Sequence, residues 1–282
     1  YRRPHCQTTQ VEIGMTTQAD KGKIFADLHA KGTFMMPNFW DIGSARILEG
    51  LGFQALASTS AGCAQALGKL DGELEIEEKL DHLTHVCAAT SAPVSADFEH
   101  GFADAPQACA QNLLRAVEAG VVGASIEDWS RKEIYDLSHA TERIAACSEA
   151  VAALDFPFTL TARAETLLRR TGGFDETLAR LSAYEAAGAD VLYAPGLASA
   201  EQIIQVLDTV SKPINVLFAY MPDTNFADYA ELGVRRISLG SALANHAIAA
   251  TLQAANQMLE QGDFTWFLDA TPNSAINTLL KP

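Results

Sequence analysis

One unit recurs along this chain and limits what it can fold into. An amphipathic helix ends in glycine, and a short apolar strand follows at once. The unit reads ILEGLGFQALAS at 47–58, RAVEAGVVGASIED at 115–128, AYEAAGADVLYAP at 183–195 and YAELGVRRISLG at 229–240. Gly52, Gly120, Gly188 and Gly233 stand where a helix needs a left-handed residue to stop. The strands are apolar without strict alternation, as expected of parallel strands covered on both faces. Further strands fit at 33–36, 93–96, 158–162 and 213–217, with helical patterns between them. Strand then helix, eight times over, predicts an α/β fold of the (β/α)8 TIM-type barrel class. An open doubly wound sheet is the second choice, because no G-x-G-x-x-G follows the first strand.

The 282 residues suit one such barrel over 15–282, ending in a helical tail from 262. Residues 1–14, ahead of Met15, read as an extension or a remnant of expression. Lys and Arg total 20 against 35 Asp and Glu, a net charge of -15. That field repels polyanions, so nucleic acid and anionic membrane surfaces are not expected partners. A small anionic substrate would need a metal ion in such surroundings. The five cysteines, Cys6, Cys63, Cys87, Cys109 and Cys147, show no C-x-x-C spacing. Most fall on helical stretches as buried, inert thiols, which predicts a reducing, cytoplasmic setting. No apolar run reaches the ~20 residues of a membrane helix.

In such barrels chemistry sits at the C-terminal ends of the strands. The first strand ends at Asn38, Trp40 and Asp41, the second at Ser58, Thr59, Ser60, Ala61 and Gly62. The third ends at Asp97 and Glu99, the fourth at Glu127 and Asp128, the fifth at Arg163 and Glu165, the seventh near Asn215. Some of these have plain structural readings. Asp41 and Asp104 are expected to cap the helices that follow them. Asp128 reads as a loop-organising acid, and His100 as a residue behind the site or on the surface. Asp97, Glu99 and Glu127 are harder to explain that way. Asp97 and Glu99 stand two apart at a strand end and can point the same way. Three carboxylates at adjacent strand ends would raise their own pKa values or destabilise the fold without a counter-ion. A hard divalent cation resolves this, and oxygen-only ligands suit Mg²⁺ or Mn²⁺.

These residues sit in a wider set of motifs: WDIGSARILEGLGF, the T-S-A-G turn at 59–62, Asp71 in GKLDGE, ADFEHGFAD, ASIED and TARAET. With them the chain resembles the isocitrate lyase/phosphoenolpyruvate mutase superfamily across almost all of residues 30–260. The resemblance implies a modified barrel whose last helix is exchanged with a neighbouring subunit, usually within a tetramer. It implies Mg²⁺ near Asp97, with Asp71, Glu99 and Glu127 around it, some through water. It places a substrate carboxylate on the backbone N–H groups and hydroxyl of Thr59, Ser60 and Ala61, and gives Arg163 the substrate oxygens opposite the metal. Arg163, Glu127 and Asp71 become the catalytic candidates, and Asn215 a further substrate contact. The implied activity is a lyase for a small 2-oxo or 2-hydroxy carboxylic acid, breaking a C–C bond through an enolate.

The chain departs from the superfamily on the loop after the fourth strand, EDWSRKEIYDLSHATERI. Isocitrate and methylisocitrate lyases carry K-[KR]-C-G-H there, with the Cys as acid/base; this loop has no Cys. Phosphoenolpyruvate mutases carry a Lys and an Asn-Ser pair; here Arg131 and Lys132 are present and no Asn follows. Ala164 stands where relatives often have Thr. Arg131, Lys132 and Tyr135 are candidate loop contributors, or simply solvated charges, and Trp129, Ile134 and Tyr135 could close a gate. The alternative within the superfamily is a phosphonate enzyme acting on a P–C bond of a phosphonopyruvate-type substrate. Outside it stand a sugar-phosphate isomerase, prompted by Gly240 and Ser241, and a binding protein that has lost its chemistry. The acids argue against the first, since phosphate wants an electropositive mouth.

Overall fold

The computed structural model describes residues 16–281. The expectations for residues 1–14 and for Cys6 lie outside the described residues. Nine short parallel strands form one sheet in the order β1-β9-β8-β7-β6-β5-β4-β3-β2. They are β1 (Phe34–Met36), β2 (Asn38–Phe39), β3 (Leu56–Ser58), β4 (Val94–Asp97), β5 (Gly123–Glu127), β6 (Thr159–Arg163), β7 (Val191–Tyr193), β8 (Ile214–Leu217) and β9 (Arg236–Ser238). β1 and β2 are halves of one strand, parted at Pro37, which has no N–H for a ladder. The first half pairs with β9, Phe34 opposite Arg236; the second pairs with β3, Asn38 opposite Ala57. The Pro37 carbonyl still accepts from Ala57 N at 3.0 Å. The sheet thus closes into the expected TIM-type barrel rather than an open doubly wound sheet.

The helices are α1 (Gln18–Ala30), α2 (Ile42–Gly50), α3 (Ser60–Ala66), α4 (Ile76–Ala89), α5 (Pro106–Glu118) and α6 (Leu137–Ala152). After them come α7 (Thr166–Arg169), α8 (Phe174–Ala186), α9 (Ala200–Thr209), α10 (Phe226–Glu231), α11 (Ala242–Gln261) and α12 (Asn273–Leu279). The main core lies between barrel and helices, where Leu56, Val94, Ile126, Leu160 and Val216 meet Leu83, Leu113, Ile144, Leu181 and Val206. Each buried side chain of this kind is worth roughly 1.5–3 kcal/mol. Cys63, Cys87, Cys109 and Cys147 are buried, free thiols on helices α3 to α6. Among the described residues no helix is long and apolar enough to cross a membrane.

The repeat pattern gives no hint of α1. Its apolar stripe is thin, because Lys21, Gly22 and His29 sit on its buried side beside Phe25. Those residues are anchors. Lys21 Nζ donates to the carbonyls of Thr90 at 2.6 Å and Cys87 at 3.2 Å, closing the end of α4. A Cβ on Gly22 would come within 2.4 Å of the Pro157 carbonyl, so only glycine lets α1 approach. Phe25 is fully buried and meets His29 and Phe34 edge to face.

Asp41 caps α2 as expected: its carboxylate accepts from Ser44 N at 2.6 Å. Asp104 does not cap α5. Ala105 occupies that position, with Pro106 next in the first turn, where a missing N–H is no loss. The Asp104 carboxylate instead accepts from the Tyr135 hydroxyl. The T-S-A-G segment is the start of α3, with Thr59 as its cap, rather than a free turn.

At the C-terminal end, α11 buries only Ala244 of its twenty residues. Leu252, Leu259, Phe264, Phe267 and Leu268 are exposed on it and just beyond it. The chain then returns, and α12 packs on α2, where the Leu279 carbonyl rests against Gly50 and the Leu280 carbonyl accepts from Arg46. Since α1 is tied to the barrel through Phe25, Phe25→Ala should lower the unfolding free energy by about 3–5 kcal/mol. Urea denaturation at neutral pH measures this.

Candidate active site

Six carboxyls gather at the C-terminal end of the barrel, on Arg163 or on the cavity beside it. Strand register starts the arrangement, since Glu127 on β5 lies directly opposite Arg163 on β6. Arg163 Nη1 lies 3.5 Å from Glu127 Oε2 and 3.4 Å from Asp97 Oδ1. Its Nε donates to Glu165 Oε1 at 2.5 Å, and Arg169 Nε holds the other Glu165 oxygen at 2.9 Å. The Arg163 guanidinium also lies over the Tyr193 ring, 5.3 Å from its centre.

Asp97 ends β4, but Glu99 reaches the mouth by another route than the strand pleat predicts. Glu99 has left the strand and sits in the left-handed region with φ of 48°, a strained backbone for a residue with a side chain. Its carbonyl accepts from Glu127 N at 2.9 Å, which fixes the turn. Arg131 binds the same Glu99 oxygen through Nε at 3.1 Å and Nη2 at 2.9 Å. Arg131 itself has φ of 71°, and Trp129 bridges to Ile134 across its loop. The loop charges therefore separate: Arg131 belongs to the mouth, while Lys132 is exposed.

Behind the acids stands Lys79 of α4, fully buried. Its Nζ donates to Ser58 Oγ at 3.1 Å, and the same oxygen accepts from Asp97 N at 2.9 Å. Asp128 works as a brace, its oxygens accepting from Glu165 N, Tyr184 Oη and Arg180 Nη1 at 2.8, 2.6 and 3.1 Å. His100 is buried rather than on the surface, and burial pulls its pKa down to about 4. Arg143 gathers the carbonyls of His100, Ala103, Asp104 and Glu127, tying the two acid-bearing turns together.

The acids do not titrate alike. Burial opposes the charge on Asp97, but Arg163, Lys79 and the Ser60 N–H outweigh it and hold the carboxyl below its usual range. Burial raises Glu99 despite Arg131 and Lys79. Glu127 is raised well above the carboxylate range: burial leads, and Glu165, Asp97 and Glu99 add to it against the pull of Arg163.

A cavity of about 290 Å³ is lined by Ser60, Asp71, Glu99, Glu127, Arg131 and Arg163, with Trp129 and Arg169 at its side. Asp97 and Arg163 also line a smaller space below, which reaches Asn215. Thr59 and Ala61 lie beside the larger cavity in the first turn of α3. Thr59 Oγ1 accepts from Gly62 N at 3.4 Å and Ser60 N donates to Asp97 Oδ2 at 3.0 Å, so both serve the protein here. Asn215 is bound at both ends of its amide, to Ser238 and Arg236.

The donor set suits a hard divalent cation: all oxygen, partly buried and short of positive charge. Asp71, Glu73, Asp97, Glu99, Glu127 and Glu165 face Arg131, Arg163, Arg169 and the buried Lys79, six acids to four cations. Glu99 Oε1 is buried with no hydrogen-bond partner, an orphan acceptor that a cation would satisfy. The side chains stand in ion pairs, and no group of three among the described residues is already closed as a metal cage. Glu165, Arg169 and Lys79 were not singled out as site residues from sequence. Glu165 could have been, since it follows Arg163 by two; Lys79 is betrayed by its place on the apolar stripe of α4, between Ile76 and Leu83.

A family profile described as phosphoenolpyruvate phosphomutase matches residues 25–259. A candidate lyase/mutase of Burkholderia cenocepacia J2315 has the same fold at a TM-score of 0.90 and 45% identity, covering 94% of this chain and 97% of that one. A candidate phosphonomutase of the same organism gives 0.79 and 33%, covering 87% and 100%. An oxaloacetate decarboxylase of Paraburkholderia xenovorans (strain LB400) is 30% identical over 242 residues, 82% of this chain and 77% of its own.

Glu127 yields a test of the electrostatics. A folded-state pKa raised above the unfolded value makes the ionised form a net cost, present above the folded pKa and lost as pH falls through it. Glu127→Gln should therefore melt higher than the native chain at pH 8 in a chelator. The gap should close as the pH falls toward the ordinary carboxylate range. A calorimetric melting series against pH checks both the sign and the trend.

Proposed function

This chain belongs to the phosphoenolpyruvate phosphomutase family of the isocitrate lyase/phosphoenolpyruvate mutase superfamily, a family of lyases and mutases, and from that premise we propose a Mg²⁺-dependent carbon–carbon lyase. Its substrate is a small 2-oxo or 2-hydroxy carboxylic acid, with oxaloacetate the first to test. The observation that carries this reading is the mouth itself, where Arg163 stands among Asp97, Glu127 and Glu165 above a cavity shared with Asp71 and Glu99. The name of the decarboxylase relative supports the choice of oxaloacetate.

Asp97, Glu99, Glu127 and Asp71 would hold the cation, some through water, and Mn²⁺ suits the same donors. When bound, Mg²⁺ supplies Lewis-acid stabilisation of the negative charge that develops on the 2-oxo oxygen as the bond opens. The residues do the rest. Arg163 donates to the substrate's oxygens from the opposite side, a cation already fixed in place by its carboxylate partners. Ser60 Oγ and the Ala61 N–H, in the first turn of α3 where N–H groups lack helical partners, receive a carboxylate. Glu127 and Asp71 are carboxyls placed to hold a proton at the cavity, Glu127 the more readily because burial raises it. Arg131 and Trp129 wall the mouth and exclude water.

We also propose that the exposed apolar side of α11 packs on a second copy of the chain in a dimer or tetramer. The buried free thiols suit a reducing, cytoplasmic setting.

With oxaloacetate and Mg²⁺, pyruvate release should be measurable and should stop in a chelator. Arg163→Gln should lower kcat/KM by about 100–1,000-fold. Arg131→Ala should fall into a similar range, while Lys132→Ala should stay within about twofold, since its side chain stands in solvent. Turnover of phosphonopyruvate, with phosphate or phosphoenolpyruvate formed and oxaloacetate untouched, would replace this reading with a P–C one.

A further inference from the structure

Barrel interiors of this class are ordinarily packed with branched apolar side chains. This one has a polar floor below the mouth, built around Arg236. The residue is 2% exposed, and its guanidinium makes three hydrogen bonds, all to neutral groups. Nε donates to Asn215 Oδ1 at 2.9 Å and Nη2 to Thr161 Oγ1 at 2.9 Å. Nη1 lies 3.2 Å from His29 Nε2. His29 Nδ1 must carry the proton, because it lies 2.7 Å from the Phe25 carbonyl, which can only accept. Nε2 is therefore an acceptor, and burial keeps the ring neutral with a pKa pulled down to about 3. Among the described residues no carboxylate lies within 4.0 Å of Arg236. A guanidinium has five N–H groups, so two remain without a protein acceptor.

Those N–H groups belong to a side chain that lines a chamber of about 50 Å³, which runs from Arg236 up to Asp97 and Arg163. Ser95, Ser125, Tyr193, Asn215 and Ser238 complete its lower walls. Ser238 Oγ accepts from Asn215 Nδ2 at 2.9 Å and hydrogen-bonds the Tyr193 hydroxyl, so the two hydroxyls together keep one proton for the space. The chamber is thus rich in donors, and its one carboxylate, Asp97, is already held by Arg163 and the Ser60 N–H at the end away from Arg236. A buried cation left without an opposite charge is costly. The chamber has room for a carboxylate or a halide, since water takes about 30 Å³, but not for a sugar phosphate.

We propose that this chamber is an anion subsite, in which Arg236, Ser238 and Tyr193 hold one small monoanionic group, a carboxylate arm or a free halide-sized anion. The site rests on the floor of the barrel and not on the reaction at its mouth.

Crystals of the whole chain soaked in sodium bromide test it. An anomalous peak in contact with the Arg236 guanidinium is expected. In solution, sodium formate replacing sodium gluconate at constant ionic strength should raise the melting temperature of the native chain by about 2–4 °C. Arg236→Gln should lose that shift. If this variant does not fold, the bromide map of the native chain decides alone. Soaking L-malate with bromide separates the sources: displaced bromide identifies a carboxylate arm, and retained bromide a free anion, both in keeping with the subsite. A chamber holding only water in ample bromide, with no formate shift, would overturn it. A chain that binds bromide at Arg236 but leaves oxaloacetate untouched would keep this site and remove the lyase reading instead.

Discussion

Everything at the mouth of this barrel depends on one shortage: there is less positive charge than the gathered acids need. Arg163 is shared by Asp97, Glu127 and Glu165. Arg131 serves one oxygen of Glu99 and leaves the other without a partner. Lys79 helps from behind through its field, yet its single hydrogen bond goes to a serine hydroxyl. Such a cluster carries an electrostatic cost that a bound cation would relieve. Glu127 records the imbalance most strongly, since burial and three neighbouring acids all oppose its charge.

The rest of the fold holds that cluster in place. Left-handed turns at Glu99 and Arg131 direct two of the charges inward, and neither is a glycine. Arg143 ties both acid-bearing turns together through their carbonyls, and Asp128 fixes the Glu165 backbone from the other side. Strain of this kind persists only where the surroundings over-determine the backbone. Here the surroundings are a tightly packed barrel wall, closed at Pro37 and plugged below by α1.

Much of the fold was legible because it is repetitive. Each helix–glycine–strand unit carries its own stop signal, and all the strands predicted from the pattern are present. α1 was not legible, because its buried face carries Lys21, Gly22 and His29, whose partners lie on distant segments. Asp97, Glu99, Glu127 and Glu165 were readable at strand ends, whereas Asp71, on the loop between α3 and α4, came only with the resemblance. Their cations were readable only in part, since Lys79 sits on α4 and Arg169 on α7 rather than at strand ends. Asp104 misled because a capping residue and an acid that binds a tyrosine hydroxyl look alike in sequence. Arg236 stood in plain view within RRISLG, but an arginine inside a barrel gains meaning only when its neighbours prove to be Asn215, Thr161 and a neutral His29.

Calorimetric titration of Mg²⁺ into the chelator-stripped chain tests the central claim most directly. One saturable site per chain is expected, weakened at least about tenfold by Asp97→Asn, as loss of a charged ligand in a site short of cations requires. If neither Mg²⁺ nor Mn²⁺ gives heat or a melting shift, the carboxyls are satisfied by their arginines alone, and the account of the mouth is wrong.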